Sequence, residues 1–196
     1  LRADDADFAV WCSYKYLNAG PGAIGGAFVH ERHALDPARL RLAGWWGQQA
    51  RTRFAMGPQF TPERGAAGWA VSNPPVLATA PLLASLELFS AAGMAALRAR
   101  SQRLTAVFTE LLREHCGARL TLLTPADPAQ RGAQLSLRCA NAAEAETLFA
   151  ALGAAGVVGD LRTPDVLRLA PAPLFNGYAD LWRCVGALSA ALRAGA

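Results

Sequence analysis

Of the 19 lysines and arginines in the sequence a single one is lysine, Lys15. A guanidinium stays protonated at any ordinary pH, whereas an amine desolvated in a pocket can lose its proton, attack a carbonyl carbon and form an imine. Lys15 follows the apolar run Phe8-Ala9-Val10-Trp11-Cys12 and precedes a turn rich in glycine, which presents its side chain at a strand end beside pliant backbone. The plain alternative is a solvated surface charge. Arg168 is the second residue of interest, because it interrupts the apolar stretch Val166-Leu167-Arg168-Leu169-Ala170. If it faces inward it needs an anion, and a carboxylate clamped by two parallel N–H bonds would serve. If strand alternation turns it outward, it is a solvated charge. His30 and His33 bracket Glu31-Arg32, but a metal site would need a third ligand that the sequence does not offer.

These side chains must be carried by secondary structure, and the apolar pattern indicates which. Residues 7–13 read as a strand, and the unbroken apolar character of Val10-Trp11-Cys12 suits a parallel strand covered on both faces. Gly20, Gly22, Gly25 and Gly26 follow, either as a plain hairpin connection or as backbone that approaches a ligand closely. Ala27–His30 reads as a further short strand. Residues 39–75 are irregular, broken by many Gly and Pro, and so long a loop is usually functional. From Val76 the pattern becomes helical. Leu82, Leu83, Leu86, Phe89, Met94, Leu97, Leu104, Phe108, Leu111 and Leu112 give an amphipathic helix bent near Gly93 and capped at Gly117. Its apolar stripe is expected in the core, with Arg98, Arg100 and Arg103 on a solvated face. Residues 119–124 and 133–139 read as strands about an Asp127-Pro128 turn. Asn141 with Glu144 has the form of a capping box for a helix over 142–152. Strands over 157–160 and 166–170 and a helix over 179–192 complete an α+β unit with a small mixed sheet, and the boundary before it is expected near residue 80.

Composition narrows the function. With 53% apolar residues the chain can bury a core. No apolar run approaches the roughly 20 residues that span a bilayer. Arg2, Asp4, Asp5 and Asp7 make the opening unlike a secretory leader, so a soluble, cytoplasmic protein is expected. The net charge of +4 is modest and the arginines are scattered, which gives nucleic-acid binding little support. Cys12, Cys116, Cys139 and Cys184 lie far apart and are expected as reduced, mostly buried thiols.

The segment Ser13-Tyr14-Lys15-Tyr16-Leu17-Asn18-Ala19-Gly20-Pro21-Gly22 resembles the cofactor-lysine segment of the kynureninases, pyridoxal-phosphate enzymes of the aspartate-aminotransferase fold. The resemblance continues through Gly44-Trp45-Trp46-Gly47, Arg51–Met56, Ser72-Asn73-Pro74-Pro75 and Leu167–Asn176, five motifs spread over nearly the whole chain. It implies an α/β, fold-type I enzyme. Residues 1–80 would end the large cofactor-binding domain, and 81–196 would form the small C-terminal α+β domain. The absent initiator Met and the early core strand make the chain read as the C-terminal part of a longer protein.

The resemblance further implies hydrolysis of the Cβ–Cγ bond of L-kynurenine to anthranilate and L-alanine, in tryptophan catabolism and NAD biosynthesis, with pyridoxal 5'-phosphate as cofactor. Lys15 would hold the cofactor and move the Cα proton, with its pKa lowered by burial and nearby positive charge. Tyr14 would contact the phosphate and pass a proton. The indole N–H of Trp45 would bind the phosphate, Asn73 would lie near the cofactor and the substrate ring, and Trp46 would line the substrate site. Arg168 would anchor the α-carboxylate. Gln48 departs from the family, which often has His there, and so leaves the substrate-ring environment, and with it 3-hydroxykynurenine as a substrate, undecided. Homodimers with shared active sites are the family pattern. A related lyase or aminotransferase, or a noncatalytic packing and dimer module, are the alternatives.

Overall fold

The apolar run that opens the chain becomes one arm of a hairpin. In the computed structural model, which describes residues 6–36 and 38–195, β1 (Phe8–Trp11) pairs antiparallel with β2 (Gly26–Val29). Phe8 lies opposite Val29 and Trp11 opposite Gly26. At Gly26 a Cβ would come within 2.5 Å of the Trp11 ring, so the glycine lets that ring lie against the backbone and any other residue would push it aside. The glycine-rich connection is thus a hairpin turn, with Gly20 and Gly22 at φ of 83° and 81°. This corrects the expected parallel strand covered on both faces. A two-stranded ribbon has no second neighbour at its edges, and Val10 is 84% exposed. Arg2, Asp4 and Asp5, whose charges argued against a leader, lie outside the described residues.

A single helical turn, α1 (Glu31–Ala34), follows, with the His30 ring accepting from the Arg32 N–H. The two histidines therefore serve this turn. His33 Nε2 lies 2.6 Å from Asp7, whose carboxyl is held below its usual range first by that bond and then by Arg32. Residues 39–75 carry two 3-10 turns, Arg53–Ala55 and Gly65–Trp69, and an isolated antiparallel bridge between Gln48 and Pro62. Then α2 (Val76–Ala92) begins, and Gly93, with φ 78°, separates it from α3 (Met94–Cys116).

The chain divides into two compact units, Leu1–Ala91 and Ala92–Ala196. The division falls beyond residue 80 because α2 is tied to the first unit. The Ser85 hydroxyl donates to the Leu17 carbonyl, and Phe89 packs against Tyr16 at 5.9 Å. Along α2 the expected buried stripe is not found. Leu83 and Leu86 are exposed, as is Met94 at the start of α3, because α2 is apolar all round and buries only Ser85 and Phe89.

In the second unit α3 is followed by β3 (Thr121–Leu122), β4 (Leu135–Arg138), α4 (Ala142–Ala154), β5 (Asp160–Arg162), β6 (Val166–Leu169) and α5 (Tyr178–Arg193). The sheet order is β3-β4-β6-β5, and every pairing is antiparallel rather than mixed, since β5 and β6 form a hairpin and β4 fits between β3 and β6. Strand alternation points Leu135, Leu137, Leu167 and Leu169 toward the helices, where they meet Leu104, Phe108, Leu148 and Leu188. Burying each such side chain contributes about 1.5–3 kcal/mol. The cap of α4 is close to the expected box: Asn141 accepts from the Glu144 N–H, while the Glu144 carboxylate takes the N–H of Ala140 instead of that of Asn141. Arg98 and Arg100 do more than face solvent. Arg98 donates to the Pro128 carbonyl, and Arg100 holds the loop after β6 through the carbonyls of Pro173 (2.8 Å) and Asn176 (3.0 Å).

Candidate active site

Lys15 sits on a tight turn that its neighbours fix. Ser13 is buried and donates to the Ile24 carbonyl, across the hairpin connection. The N–H of Asn18 donates to the Lys15 carbonyl (3.0 Å), and that of Ala19 to the Ser13 carbonyl (3.1 Å). Asn18 accepts the left-handed φ of 55° that closes the turn. The backbone is therefore anchored at Ser13, Leu17 and Ala19 while the side chains at 14 and 15 point away from it. Lys15 is exposed, and so is Tyr14. The Lys15 Nζ lies 4.8 Å from the centroid of the Tyr14 ring, a cation–π contact that pairs the amine with a phenol. The burial expected for Lys15 is not present among the described residues, where no element of the first unit covers the end of the hairpin turn.

Trp45, Trp46 and Asn73 stand on the long loop. Gly44 and Gly47 allow two stretches of this loop to meet backbone to backbone: a Cβ on Gly44 would come 2.2 Å from Val71, and one on Gly47 2.8 Å from the Ala70 carbonyl. Trp45 is half exposed, packs edge-on to Trp46 at 5.3 Å, and leaves its indole N–H without a protein acceptor among the described residues. Arg53 stacks on Trp46 at 4.2 Å and donates to the carbonyls of Trp46 (2.8 Å) and Gln48 (3.1 Å). Together Trp45, Gln48, Arg53 and Phe60 line a cavity of about 360 Å³. The Gln48 side chain is committed to the loop itself, with Nε2 donating to Thr52 (2.7 Å) and Oε1 accepting from the Thr61 N–H (2.7 Å). Asn73 is exposed and accepts from the Ser72 hydroxyl at 3.3 Å. Among the described residues no hydrogen bond, ion pair or ring contact joins Tyr14 and Lys15 to Trp45, Trp46 or Asn73.

Arg168 belongs to the second unit. Its neighbours Leu167 and Leu169 face the core, so Arg168 projects from the opposite side of the sheet, where its side chain is 30% exposed. It does not face inward, and its anionic partner lies within the chain. Asp160 is its register partner on β5, and both the Nε (2.6 Å) and Nη2 of Arg168 donate to Asp160 Oδ2. Arg162 Nε reaches the same oxygen at 3.0 Å. Asp160 and Arg53 were missed in the sequence. Asp160 was legible from hairpin counting, since it and Arg168 stand symmetrically about Pro164. Arg53 lies within the Arg51–Met56 motif of the resemblance, but nothing in that motif marks it for the stack on Trp46.

Comparison with known proteins gives this arrangement a lineage. The family model of the kynureninase C-terminal domain matches residues 97–188. A kynureninase of Xanthomonas oryzae pv. oryzae (strain PXO99A) is 59% identical over 191 residues, which are 97% of this chain and 45% of that relative. The cysteine desulfurase CsdA of Escherichia coli superposes with a TM-score of 0.71 at 18% identity, covering 97% of this chain and 47% of that one. A C-DES variant with glycine covalently linked to its PLP cofactor superposes with a TM-score of 0.71 at 18% identity, covering 94% and 46%. The chain thus has the fold of the fold-type I pyridoxal-phosphate enzymes. Within that class its sequence is similar to kynureninases over nearly its whole length, and it spans about half the length of the curated relatives it matches.

Proposed function

We propose that this chain is the C-terminal half of a pyridoxal-phosphate-dependent kynureninase, which hydrolyses the Cβ–Cγ bond of L-kynurenine to anthranilate and L-alanine. The observation that carries the reading is the anchored turn that presents the chain's only lysine beside Tyr14, in a sequence 59% identical to a kynureninase over 191 residues.

The residues present fit an aldehyde that bears a phosphate. Lys15 is an exposed amine on a fixed backbone, and Tyr14 sets a phenol beside it. Trp45 and Asn73 keep an indole N–H and an amide available as donors, which suit an anion. When bound, the cofactor supplies an electron sink for charge developing at the substrate Cα. Lys15 would hold it and would accept and return the Cα proton, a role open to an amine and closed to a guanidinium. Tyr14 would contact the phosphate and relay a proton during hydrolysis. Trp45 would contact the phosphate, Trp46 and Asn73 would contact the substrate, and Arg168 would bind its α-carboxylate. Gln48, engaged by Thr52 and Thr61, shapes the loop rather than reaching for the substrate.

The assignment of the first unit to the large cofactor-binding domain and of the second to the small C-terminal domain, the cytoplasmic location, the place in tryptophan catabolism and NAD biosynthesis, and a homodimer with shared active sites belong to this proposal. So does 3-hydroxykynurenine as a second substrate. The exposed apolar surface of the first unit, with Val10, Leu40, Leu42 and Leu77 each at least 77% exposed, supports a chain that needs further protein around it. Residues 1–196 alone are expected to cleave little or no kynurenine. The test is release of fluorescent anthranilate from L-kynurenine by the full-length enzyme loaded with cofactor, with Lys15→Arg as control. Cleavage that Lys15→Arg abolishes supports the reading. Transamination or sulfur release without anthranilate would place the protein with the related lyases and aminotransferases instead.

A further inference from the structure

We infer that Asp160 is a positioning residue for Arg168, fixing its guanidinium so that one two-donor edge stays presented to a substrate carboxylate. The inference rests on the role proposed above for Arg168 and concerns what sets that side chain's direction. A guanidinium has two edges that can each give a pair of parallel N–H bonds, a lateral one made by Nε and Nη2 and a terminal one made by Nη1 and Nη2. Asp160 takes the lateral edge, since both Nε and Nη2 of Arg168 donate to its Oδ2. The terminal edge has no protein acceptor among the described residues, and the side chain is 30% exposed.

The backbone makes this pairing rigid. Asp160 and Arg168 face each other across the β5–β6 hairpin, and β6 is held on its other side by β4, with Ser136 opposite Arg168. The carboxylate and the guanidinium thus spring from neighbouring strands of one antiparallel sheet, whose opposite face is the core of the second unit. At the end of β6 the loop that follows is clasped by Arg100. A long arginine side chain loses much rotamer freedom when it binds a ligand, and a fixed lateral partner removes that loss beforehand.

Charge balance decides between positioning and blocking. A lone aspartate on Arg168 would neutralise it and compete with an incoming carboxylate. Here Arg162 Nε shares Asp160 Oδ2 at 3.0 Å, so two guanidinium groups stand against one carboxylate and the cluster keeps a net positive charge. The aspartate orients Arg168 while the local field still attracts an anion.

The test uses the full-length enzyme with Asp160→Asn, Asp160→Glu, Arg168→Lys and the Asp160→Asn/Arg168→Lys double variant. Steady-state kinetics with L-kynurenine are measured beside calorimetric binding of L-alanine and of isopropylamine, in which a methyl group replaces the carboxylate. Asp160→Asn is expected to weaken L-alanine binding and raise KM about tenfold, the worth of one hydrogen bond to a charged group, with kcat changed by less than about threefold. It leaves isopropylamine binding unchanged, Asp160→Glu recovers much of the loss, and in the double variant the aspartate change adds nothing to the loss from Arg168→Lys. Unchanged or tighter L-alanine binding in Asp160→Asn overturns the inference, as does an equal loss for isopropylamine. Wild-type enzyme that binds L-alanine but releases no anthranilate refutes the kynureninase reading while the alanine arm still decides the role of Asp160. Wild-type enzyme that binds no L-alanine refutes both.

Discussion

Replacing Glu144 with glutamine keeps the shape of the side chain and removes its charge, and the structure sets what that costs. The Glu144 side chain is 4% exposed. Its Oε1 accepts from Arg119 at 2.6 Å and its Oε2 from the Ala140 N–H at 2.8 Å, so both oxygens act as acceptors. An amide offers one acceptor and turns an NH2 toward the other donor. One charge-assisted bond is lost, at about 1.5–3 kcal/mol. The lower half of that range applies, because the Arg119 side chain is 51% exposed and water screens the pair. For a unit of roughly 100 residues that corresponds to a melting temperature lower by about 6–18 °C. The pH dependence gives a second check. Burial pushes the Glu144 carboxyl up, but the Ala140 N–H and the Arg119 guanidinium outweigh it and hold the folded value below 4.5. A depressed carboxyl contributes stability that is present in full above the unfolded value and is lost as pH falls through the folded one. Thermal melts by circular dichroism should therefore show a gap between wild type and Glu144→Gln that is constant from neutral pH down to about 5 and closes below 4.5. A protonated acid, like an amide, offers one acceptor and one donor. A gap that persists at low pH would show that shape rather than charge is at work, and no gap at neutral pH would refute the reasoning.

Burial pushes the Cys139 thiol up to about 11 and the Cys184 thiol up to about 12. In the folded chain at pH 8 both should resist iodoacetamide, with Cys12, which is only partly buried, alkylated first; mass spectrometry of the labelled peptides reads the order. Gly44→Ala would press a Cβ to within 2.2 Å of Val71, whereas Gly57→Ala meets nothing within 4 Å. The first should cost about 1–3 kcal/mol in denaturant unfolding followed by tryptophan fluorescence, and the second close to nothing.

The second unit was legible in the sequence because its elements obey simple periods. Leu104, Phe108 and Leu112 recur every turn along α3, and Leu135 and Leu137 alternate along β4, so their burial follows from spacing alone. Gly93 and Gly117 marked the ends of α3 because only glycine takes their positive φ cheaply. The first unit was harder to read for a physical reason. Val10-Trp11-Cys12 has the composition of a covered strand, but whether it is covered depends on other protein around it rather than on its own period. The same holds for α2, apolar on every side, where no stripe exists to point at a core. Of the candidate site, the motif residues were found by likeness to a family. Of the contacts that hold them, the Asp160 carboxylate on Arg168 follows from counting across the hairpin about Pro164, whereas the Arg53 stack on Trp46 lies within an irregular loop and has no period to reveal it.

The central claim is that the amine of Lys15 carries the cofactor, and trapping that link tests it most directly. The full-length enzyme is loaded with pyridoxal phosphate, reduced with borohydride, digested and mapped by mass spectrometry. The account predicts one pyridoxyl-phosphate group per chain on the peptide that contains Lys15, and none when Lys15 is replaced by arginine. Cofactor fixed stoichiometrically at another amine, with the Lys15 peptide unmodified, would contradict it.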